Sequence, residues 1–247
     1  MGKLVPGFLA PMLVIGLICG LIGAEDLGTA VLIGVVSTAM LVAAGARIWY
    51  PALLAPAAAA AFAAAVVTNP YRINRLRAFM APFDDPQGIS YHVVQSMAAV
   101  SGGGLAGRGL GNGVQKFGYL PEDTTDFVFA VITEELGLAG AVILIALYAT
   151  LLACGFFVMT RTRCPCRRLL GLGILLTVGL QTLFNLLVVT GLAPTKGIAL
   201  PLVSSGGTGW CLTAFSIGVL IAMDRENHRE ADAGERDAAR VTAPVAV

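Results

Sequence analysis

The sequence predicts an all-α integral membrane protein with six transmembrane helices and one large extracytoplasmic loop. Of the 247 residues, 57% are hydrophobic and only 13% are charged, whereas soluble domains carry roughly 25% charged residues. The apolar residues also fall into six separate runs. Each run reaches about 20 residues, the length that an α-helix needs to cross the hydrocarbon core of a bilayer.

The predicted spans follow the order of these runs, which consist mainly of Leu, Val, Ile, Ala and Gly. They cover residues 7–23, 28–46, 51–68, 127–159, 168–190 and 201–223. The fourth run is longer than a bilayer is thick, so we expect this helix to tilt or to extend beyond the membrane. Residues 1–223 are therefore predicted to form one membrane domain.

Arginines in the short connections set the predicted topology, because cytoplasmic loops carry an excess of Lys and Arg. Such residues lie between spans two and three, between spans four and five, and after span six. They are Arg47, then Arg161, Arg163, Arg167 and Arg168, then Arg225 and Arg229. With six spans all three groups lie on one side, which predicts that both chain ends are cytoplasmic.

Residues 69–126 are then predicted to form one external loop. Within it, residues 89–106 are apolar enough to suggest a seventh span. However, Ser90, His92 and Gln95 and a glycine cluster would be costly to expose to lipid. A seventh span would also move the arginines between spans four and five to the outside. We therefore predict a re-entrant or surface helix here.

Several function classes are excluded by composition. The net charge of +1, with mixed signs, gives no basis for nucleic-acid binding. Cys164 and Cys166 are too few to form a zinc site, which usually needs four ligands. The G-x-G-x-x-G pattern at 102–107 follows no strand, so nucleotide binding is rejected. The tail, residues 224–247, has too little apolar content to fold alone and is predicted to be disordered and cytoplasmic.

Carboxylates cluster around the start of the fourth span. Glu122 and Asp126 lie just before it, and Thr125 or Asp126 could cap its free N–H groups. Glu134 and Glu135 lie about two turns inside, where capping is impossible. A carboxylate at membrane depth is either functional or the partner of a buried Arg or Lys. For Glu134 and Glu135 the sequence leaves both interpretations open, a functional role and pairing, and favours pairing.

Further charged residues are predicted on the same external face. Lys196 lies between spans five and six, where it could instead snorkel to the interface, and Asp26 could simply cap span two. The face collects the carboxylates Asp26, Glu122 and Asp126 and the cations Arg72, Arg75, Lys116 and Lys196. This mixture suits a substrate with a hydroxyl to deprotonate and an anionic leaving group, such as a pyrophosphate-linked lipid.

Four ordered segments resemble the SEDS family (shape, elongation, division, sporulation), whose members include FtsW, RodA and SpoVE. They are EDLGTAVLI at 25–33, PYRINRLRAFMAPFDDPQGISYHVVQS at 70–96, GLGNGVQKFGYLPEDTTDFVFAVITEELG at 109–137 and PTKGIALPLVSSGGTGW at 194–210. The resemblance implies a peptidoglycan glycosyltransferase of the bacterial cytoplasmic membrane, acting in cell division or elongation. It would polymerise lipid II on the extracytoplasmic face and work with a class B penicillin-binding protein and other division or elongation membrane proteins.

The resemblance also implies roles for residues. Asp126, the acidic residue of the TDF motif, would be catalytic and would deprotonate the acceptor hydroxyl. The lysine of the TKG motif, Lys196, is important in division-type members, which favours FtsW over RodA. The substrate-binding candidates are Lys196, Arg72, Arg75, Glu122, Lys116 and Asp26. A divalent cation could assist the diphosphate, although the sequence shows no metal motif.

The chain also departs from the family pattern. The family has about ten spans and this chain has six, and its start is similar to the region near the family's fifth span, so we expect the first four to be missing. Thr124 stands where the family often has His. Two other functions stay open: a flippase for the lipid-linked precursor, and a non-catalytic division scaffold. A flippase would need polar residues at mid-membrane depth, and the candidates are Gln181, Asn185, Glu134 and Glu135.

Overall fold

The computed structural model describes residues 8–242, and all regular secondary structure within that range is helical. The helices are α1 (Ala10–Glu25), α2 (Leu27–Ala43), α3 (Trp49–Val67), α4 (Pro70–Met80), α5 (Tyr91–Gly102), α6 (Val128–Arg161), α7 (Pro165–Val189) and α8 (Gly207–Thr242). Four of them, α3, α6, α7 and α8, are long and apolar enough to cross a membrane. α1 and α2 are apolar but shorter, with 16 and 17 residues.

The six predicted apolar runs correspond to these six apolar helices, and the start of the sixth is the most shifted of the starting positions. The sixth run is predicted to start at residue 201, yet α8 starts at Gly207. The preceding residues form a turn instead, because the Ser204 hydroxyl accepts the Leu200 N–H at 2.7 Å and Leu202 adopts a positive φ of 66°. This turn brings the chain back toward the start of α6, where the Ser204 hydroxyl donates to the main-chain oxygen of Thr125.

The apolar segment around residues 89–106 contains only the short helix α5. Its 12 residues extend about 18 Å at 1.5 Å per residue, which is too short to cross a hydrocarbon core of about 30 Å. The helix packs against α6 and α7, and its Ser96 hydroxyl donates to the main-chain oxygen of Val189 at 2.8 Å. The segment therefore has no helix long enough to be a seventh span.

The structure differs from the sequence prediction in the tail. The tail is predicted to be disordered, yet α8 continues without a break as far as Thr242. Residues 243–247 lie outside the described part of the chain.

Helix propensity and contacts with the α6–α7 turn explain this continuation. The tail is rich in Ala, Glu and Arg, which are good helix formers. The side-chain amide of Asn227 donates to the main-chain oxygen of Val158 at 3.1 Å, and Arg167 forms an ion pair with Glu230. The low hydrophobicity of the tail predicted disorder because it does not indicate the contacts of Asn227 and Glu230, which depend on where the α6–α7 turn lies.

The largest buried cluster lies between α5, α6 and α7 and includes the segment that leads into α6. Leu120 and Phe127 from that segment are 2% and 5% exposed, and Leu200 from the loop before α8 is 1% exposed. Burial of each of these large apolar side chains contributes about 1.5–3 kcal/mol to the stability of the fold. They fix the backbone on both sides of the polar residues between 121 and 126.

Candidate functional site

A cavity of about 280 Å³ opens at the end of the helix bundle where α6 begins. Four parts of the chain line it: α4, the start of α5, the segment before α6, and the loop between α7 and α8. Its polar lining comprises Tyr71, Asn74, Arg75, His92, Glu122, Asp126, Thr195 and Lys196. The cavity thus brings together four of the predicted site residues, namely Arg75, Glu122, Asp126 and Lys196.

The backbone around Asp126 is held from two directions. Glu122 adopts a positive φ of 57°, and its main-chain oxygen accepts the N–H groups of Asp126 and Phe127 at 3.0 and 3.2 Å. From α7, the buried amide of Asn185 donates to the main-chain oxygens of Asp126 at 2.7 Å and Ile198 at 2.8 Å. Asn185 therefore ties the start of α6 to the loop that carries Lys196.

The Asp126 carboxylate accepts no hydrogen bond and forms no ion pair among residues 8–242. The N-cap of α6 is Phe127, with no side-chain capping bond, so the prediction that Thr125 or Asp126 caps this helix is wrong. The Thr125 hydroxyl donates instead to the Glu122 carboxylate at 2.7 Å. Burial raises the pKa of Asp126, and the nearby negative charge of Glu122 raises it further, while Arg75 partly offsets both. A half-buried carboxyl with a raised pKa suits a general base.

Lys196 lies in the cavity wall and is paired with Asp26. Its Nζ is 3.1 Å from the Asp26 Oδ1, and its methylene stem crosses the backbone at Gly28. Burial lowers the pKa of Lys196, and Asp26 acts against that shift. This contact makes Lys196 a cation held in place beside the cavity, which differs from the snorkelling lysine that the sequence also allowed.

Asp26 caps α2 and also pairs with Lys196. Its carboxylate accepts the N–H groups of Gly28 and Thr29, both at 3.2 Å, which confirms the predicted cap. Burial alone would raise the pKa of Asp26, but hydrogen bonds from Thr29 and the ion pair with Lys196 outweigh it and lower the pKa. Asp26 lies outside the cavity lining and contacts Lys196, which belongs to it.

Arg75 enters the cavity from α4. Its guanidinium lies 4.5 Å from the centre of the Tyr71 ring, donates to the Tyr71 hydroxyl, and donates to the main-chain oxygen of Thr195 at 3.2 Å. These contacts point the planar donor group toward the same opening as Lys196. A guanidinium in that position suits a phosphate oxygen.

Arg72 lies elsewhere, although it is only one helical turn from Arg75. Its guanidinium donates to the main-chain oxygens of Gly23 and Ala24, at 2.7 and 2.8 Å, and of Ala65 at 3.0 Å. These are carbonyls near the C-terminal ends of α1 and α3, where helices present unpaired acceptors. The geometry gives Arg72 a capping role and keeps it out of the cavity lining.

Lys116 also lies outside the cavity. Its ammonium contacts the Glu135 carboxylate at 2.6 Å, and the neighbouring Glu134 pairs with Arg108 at 2.9 Å. The favoured interpretation of the two glutamates as partners of Arg or Lys is therefore confirmed. Pairing also explains how carboxylates are tolerated within α6.

His92 is a cavity residue that sequence reasoning did not select. Its ring stacks on Phe127 with the ring centres 6.2 Å apart. Burial and the nearby charge of Arg75 lower the pKa of His92, while Glu122 raises it. In the sequence, His92 was one of several polar residues in an apolar segment, which indicated only that the segment avoids lipid.

No preformed metal centre is visible among residues 8–242. Within that part of the chain there is no group of three or more His, Cys, Asp or Glu side chains that could hold a metal ion. The ammonium of Lys196 and the guanidinium of Arg75 are the positive groups that line the cavity.

An apolar groove of about 510 Å³ adjoins the cavity. Side chains of α2, α7 and α8 line it, among them Leu32, Val36, Ile174 and Trp210, and Gly197 belongs to the walls of both spaces. A molecule with a charged head and an apolar chain fits such a pair of adjoining spaces.

Comparisons with known proteins agree with this arrangement. The family model described as "Cell cycle protein", which covers FtsW, RodA and SpoVE, matches residues 3–229. The "Probable peptidoglycan glycosyltransferase FtsW" of Coxiella burnetii is 40% identical over 233 residues, which are 91% of this chain and 62% of that protein. The protein of the same name from Thioalkalivibrio sulfidiphilus is 41% identical, over 89% of this chain and 56% of its own.

More distant relatives show the same partial coverage. "Stage V sporulation protein E" of Bacillus subtilis is 38% identical over 81% of this chain and 55% of its own. A solved structure described as "Structural coordination of polymerization and crosslinking by a peptidoglycan synthase complex" contains a chain with a TM-score of 0.70 and 27% identity, covering 89% of this chain and 62% of that one. The chain thus spans about three fifths of the length of these relatives.

Proposed function

Because the chain belongs to the FtsW, RodA and SpoVE family of cell cycle proteins, we propose that it is a peptidoglycan glycosyltransferase that polymerises lipid II. The observation that carries the proposal is the Asp126 carboxylate, which lines a cavity with Lys196 and Arg75 and does not cap its helix. The relatives named as glycosyltransferases support the reaction class.

In the proposed reaction, Asp126 acts on the acceptor. Its carboxylate takes the proton from a sugar hydroxyl, and the freed oxygen attacks the anomeric carbon of the donor chain. The bond from that carbon to the diphosphate breaks, so undecaprenyl pyrophosphate leaves with the bonding electron pair. The raised pKa of Asp126 makes the carboxylate a better proton acceptor than an ordinary aspartate.

The departing diphosphate gains negative charge in the transition state. Lys196 and Arg75 lie in the same cavity, and fixed cations that face developing charge lower the barrier without reorganising. Asp26 holds Lys196 in place from outside the cavity, whereas Arg72 and Lys116 are engaged elsewhere. The diphosphate is therefore assigned to Lys196 and Arg75 alone.

The apolar groove supports a lipid-linked substrate. It adjoins the cavity at Gly197 and is lined from α2, α7 and α8. An undecaprenyl chain in this groove would leave its diphosphate beside Lys196. Burial of such a chain contributes about 0.8 kcal/mol per CH₂ group, so the groove would also hold the donor during transfer.

The structure offers less support for a flippase. Asn185 is engaged by two main-chain oxygens, and Glu134 and Glu135 are paired with Arg108 and Lys116. Among the mid-membrane candidates, only Gln181 lines an open space, the groove. Three of the four polar residues that a transport path would need are thus committed to structure.

The proposed setting is the cytoplasmic membrane of a bacterium, with six spans and residues 69–126 outside. The cavity then opens on the extracytoplasmic face, where lipid II headgroups are found after export. A class B penicillin-binding protein would cross-link the glycan strands and is the proposed partner, in cell division or elongation. The solved complex of a related chain supports such an assembly.

Purified protein and lipid II test the proposal. The chain is incubated with lipid II in detergent, alone and with a class B penicillin-binding protein that lacks transpeptidase activity, and the glycan strands are resolved by electrophoresis. A parallel assay follows lipid II movement across vesicles that contain the chain. We expect strands and no movement. Movement without strands would identify a flippase, and the absence of both would identify a scaffold.

A further inference from the structure

Helix α6 is broken at Gly137, about two turns below the cavity. Gly137 has φ 68° and ψ −161°, a combination that is essentially restricted to glycine. A break at this depth exposes main-chain N–H and C=O groups that lipid cannot satisfy. The stretch from 102 to 113, here called the glycine loop, lies directly against the break.

Main-chain hydrogen bonds from the glycine loop replace the missing helical ones. Arg108 and Gly109 donate their N–H groups to the main-chain oxygens of Glu134 and Glu135, at 3.0 and 2.9 Å. In the opposite direction, Leu138 donates to the main-chain oxygen of Gly104 at 2.9 Å. The approach is so close that a Cβ at Gly107 would lie 2.0 Å from the main-chain oxygen of Glu135.

The side chains of Glu134 and Glu135 also bind the glycine loop and the residues that follow it. Glu134 is 1% exposed and accepts the N–H groups of Val114 and Gln115, both at 3.1 Å, in addition to its pair with Arg108. Glu135 accepts the N–H groups of Gly111 at 3.0 Å and Gly113 at 3.3 Å, in addition to the ammonium of Lys116.

These contacts close a loop that carries the proposed base. Gln115 is the last residue whose main-chain N–H binds a glutamate side chain. From there the chain runs through Leu120 and Glu122 to Asp126 and then enters α6, which carries the glutamates themselves. Leu120 donates its N–H to the main-chain oxygen of Gln115 at 3.0 Å. Gln115 is therefore bonded both to Glu134 and to the buried Leu120. Displacement of Gln115 would therefore be passed along the chain to Asp126 through Leu120, the buried anchor of this segment, which is 2% exposed.

We infer that Glu134 and Glu135 are positioning residues that clamp residues 108–116 onto the break in α6 and thereby fix Asp126 in the cavity. This inference rests on the proposed function of Asp126. The chemistry of the carboxylates explains why two glutamates are needed. Each carboxylate accepts main-chain N–H groups through both of its oxygens and a cation through one of them. A glutamine cannot do so because its amide nitrogen is itself a donor.

The inference can be tested on Glu135, which is the more accessible of the two carboxylates and is the safer one to change. The variants are Glu135→Gln and Lys116→Met, with Asp123→Asn as a control in the same segment without a clamp contact. Hydrogen exchange of residues 108–126 and lipid II polymerisation are measured on the same preparations of the whole chain. A thermal unfolding curve for each variant shows whether the fold persists.

We expect Glu135→Gln to accelerate exchange at Gly111 and Gly113 and across the segment up to Asp126, with the unfolding midpoint nearly unchanged. The rate at saturating lipid II should fall about tenfold or more with little change in KM, because misplacing a reacting group by about 1 Å costs up to roughly 10²-fold. Lys116→Met should give part of both effects, and Asp123→Asn neither.

Three results would overturn the inference. Unchanged exchange would show that Glu135 does not clamp the glycine loop. Accelerated exchange confined to Gly111 and Gly113, or accelerated exchange with an unchanged rate, would show that the clamp does not position Asp126. If the wild-type chain forms no glycan strands, the proposed function fails, and the spread of exchange toward Asp126 still decides whether the clamp exists.

Discussion

At the scale of single residues, two carboxylates near the cavity have environments that shift their pKa values in opposite directions. Asp26 is stabilised as an anion by Thr29 and Lys196, so its pKa is lowered. Asp126 is half-buried and close to Glu122, so its pKa is raised. Carboxyl groups whose pKa values are shifted in opposite directions indicate different roles. Here the roles are a structural anion at Asp26 and a proton acceptor at Asp126.

The raised pKa of Asp126 predicts a cost in stability that a substitution removes. The folded pKa lies above the unfolded value of about 3.9, so the folded state binds more protons and stability falls as pH rises through that window. Asp126→Asn should therefore unfold at the same temperature as wild type, or higher, at pH 7. The difference should shrink below pH 4. A lower unfolding temperature at pH 7 would make the carboxylate a structural group.

A second prediction at this scale concerns Gly28, which supports the stem of Lys196. A Cβ at this position would lie 1.7 Å from Cε and 1.9 Å from Nζ of Lys196, so Gly28→Ala should displace the ammonium while leaving α2 folded. We expect the polymerisation rate to fall as far as in Lys196→Ala, roughly 10²-fold. The double variant should be no worse than Lys196→Ala alone.

The control for this prediction is Gly16→Ala, because a Cβ at Gly16 meets no atom within 4 Å. It should polymerise lipid II normally. Full activity in Gly28→Ala, or additive losses in the double variant, would show that Lys196 does not depend on the backbone at Gly28.

At the scale of elements, the sequence predicted the apolar helices well and the details of the site only in part. Apolar runs predict helices because a membrane leaves few alternatives, and residues 89–106, whose polar content argued against a span, contain only the 12-residue helix α5. Which of Arg72 and Arg75 enters the cavity could not be predicted. The two lie one turn apart, and the choice depends on whether each meets a helix end or the loop at Thr195.

The break in α6 was also beyond sequence reasoning. Residues 127–159 read as one long apolar run, and the glycines at 102–113 indicated only that the chain bends there. Their function appears once both segments are placed together, because main-chain groups of one satisfy those of the other. Long-range pairing of this kind leaves no periodic pattern in the sequence.

This break gives a prediction about Gly137. Ala at this position would have an unfavourable backbone conformation, costing about 1–3 kcal/mol, and its Cβ would lie only 2.3 Å from the Gly107 nitrogen. Gly137→Ala should therefore lower the unfolding temperature and the yield of folded protein. Gly218→Ala in α8 has open space around it and should be neutral. Equal stability of both variants would contradict the described break.

At the scale of the whole molecule, the two ends of the bundle differ in chemistry. One end gathers Asp26, Arg75, Asp126 and Lys196 around the cavity. At the other, α8 contacts the α6–α7 turn, where Asn227 donates to Val158 and Thr162. The arginines of that turn predict a cytoplasmic location for this end, and under this orientation we propose that the cavity opens on the opposite face.

This orientation predicts the result of site-directed labelling. A single cysteine in place of Gly118, in a chain whose own five cysteines are replaced, should react with an impermeant maleimide in intact cells. A chain that retains only Cys166, which is exposed at the start of α7, should react only after lysis. The reverse pattern would place residues 69–126 inside the cell and would contradict the proposed orientation.

The central claim is that the Asp126 carboxylate is the base for glycan polymerisation, and lipid II turnover by Asp126→Asn tests it most directly. An amide cannot take the proton, and loss of a positioned base typically costs roughly 10²–10⁴-fold in rate. We therefore predict a folded, membrane-inserted protein that forms glycan strands at least about 10²-fold more slowly than wild type, while Asp123→Asn forms them normally. Strand formation by Asp126→Asn at the wild-type rate would contradict the account.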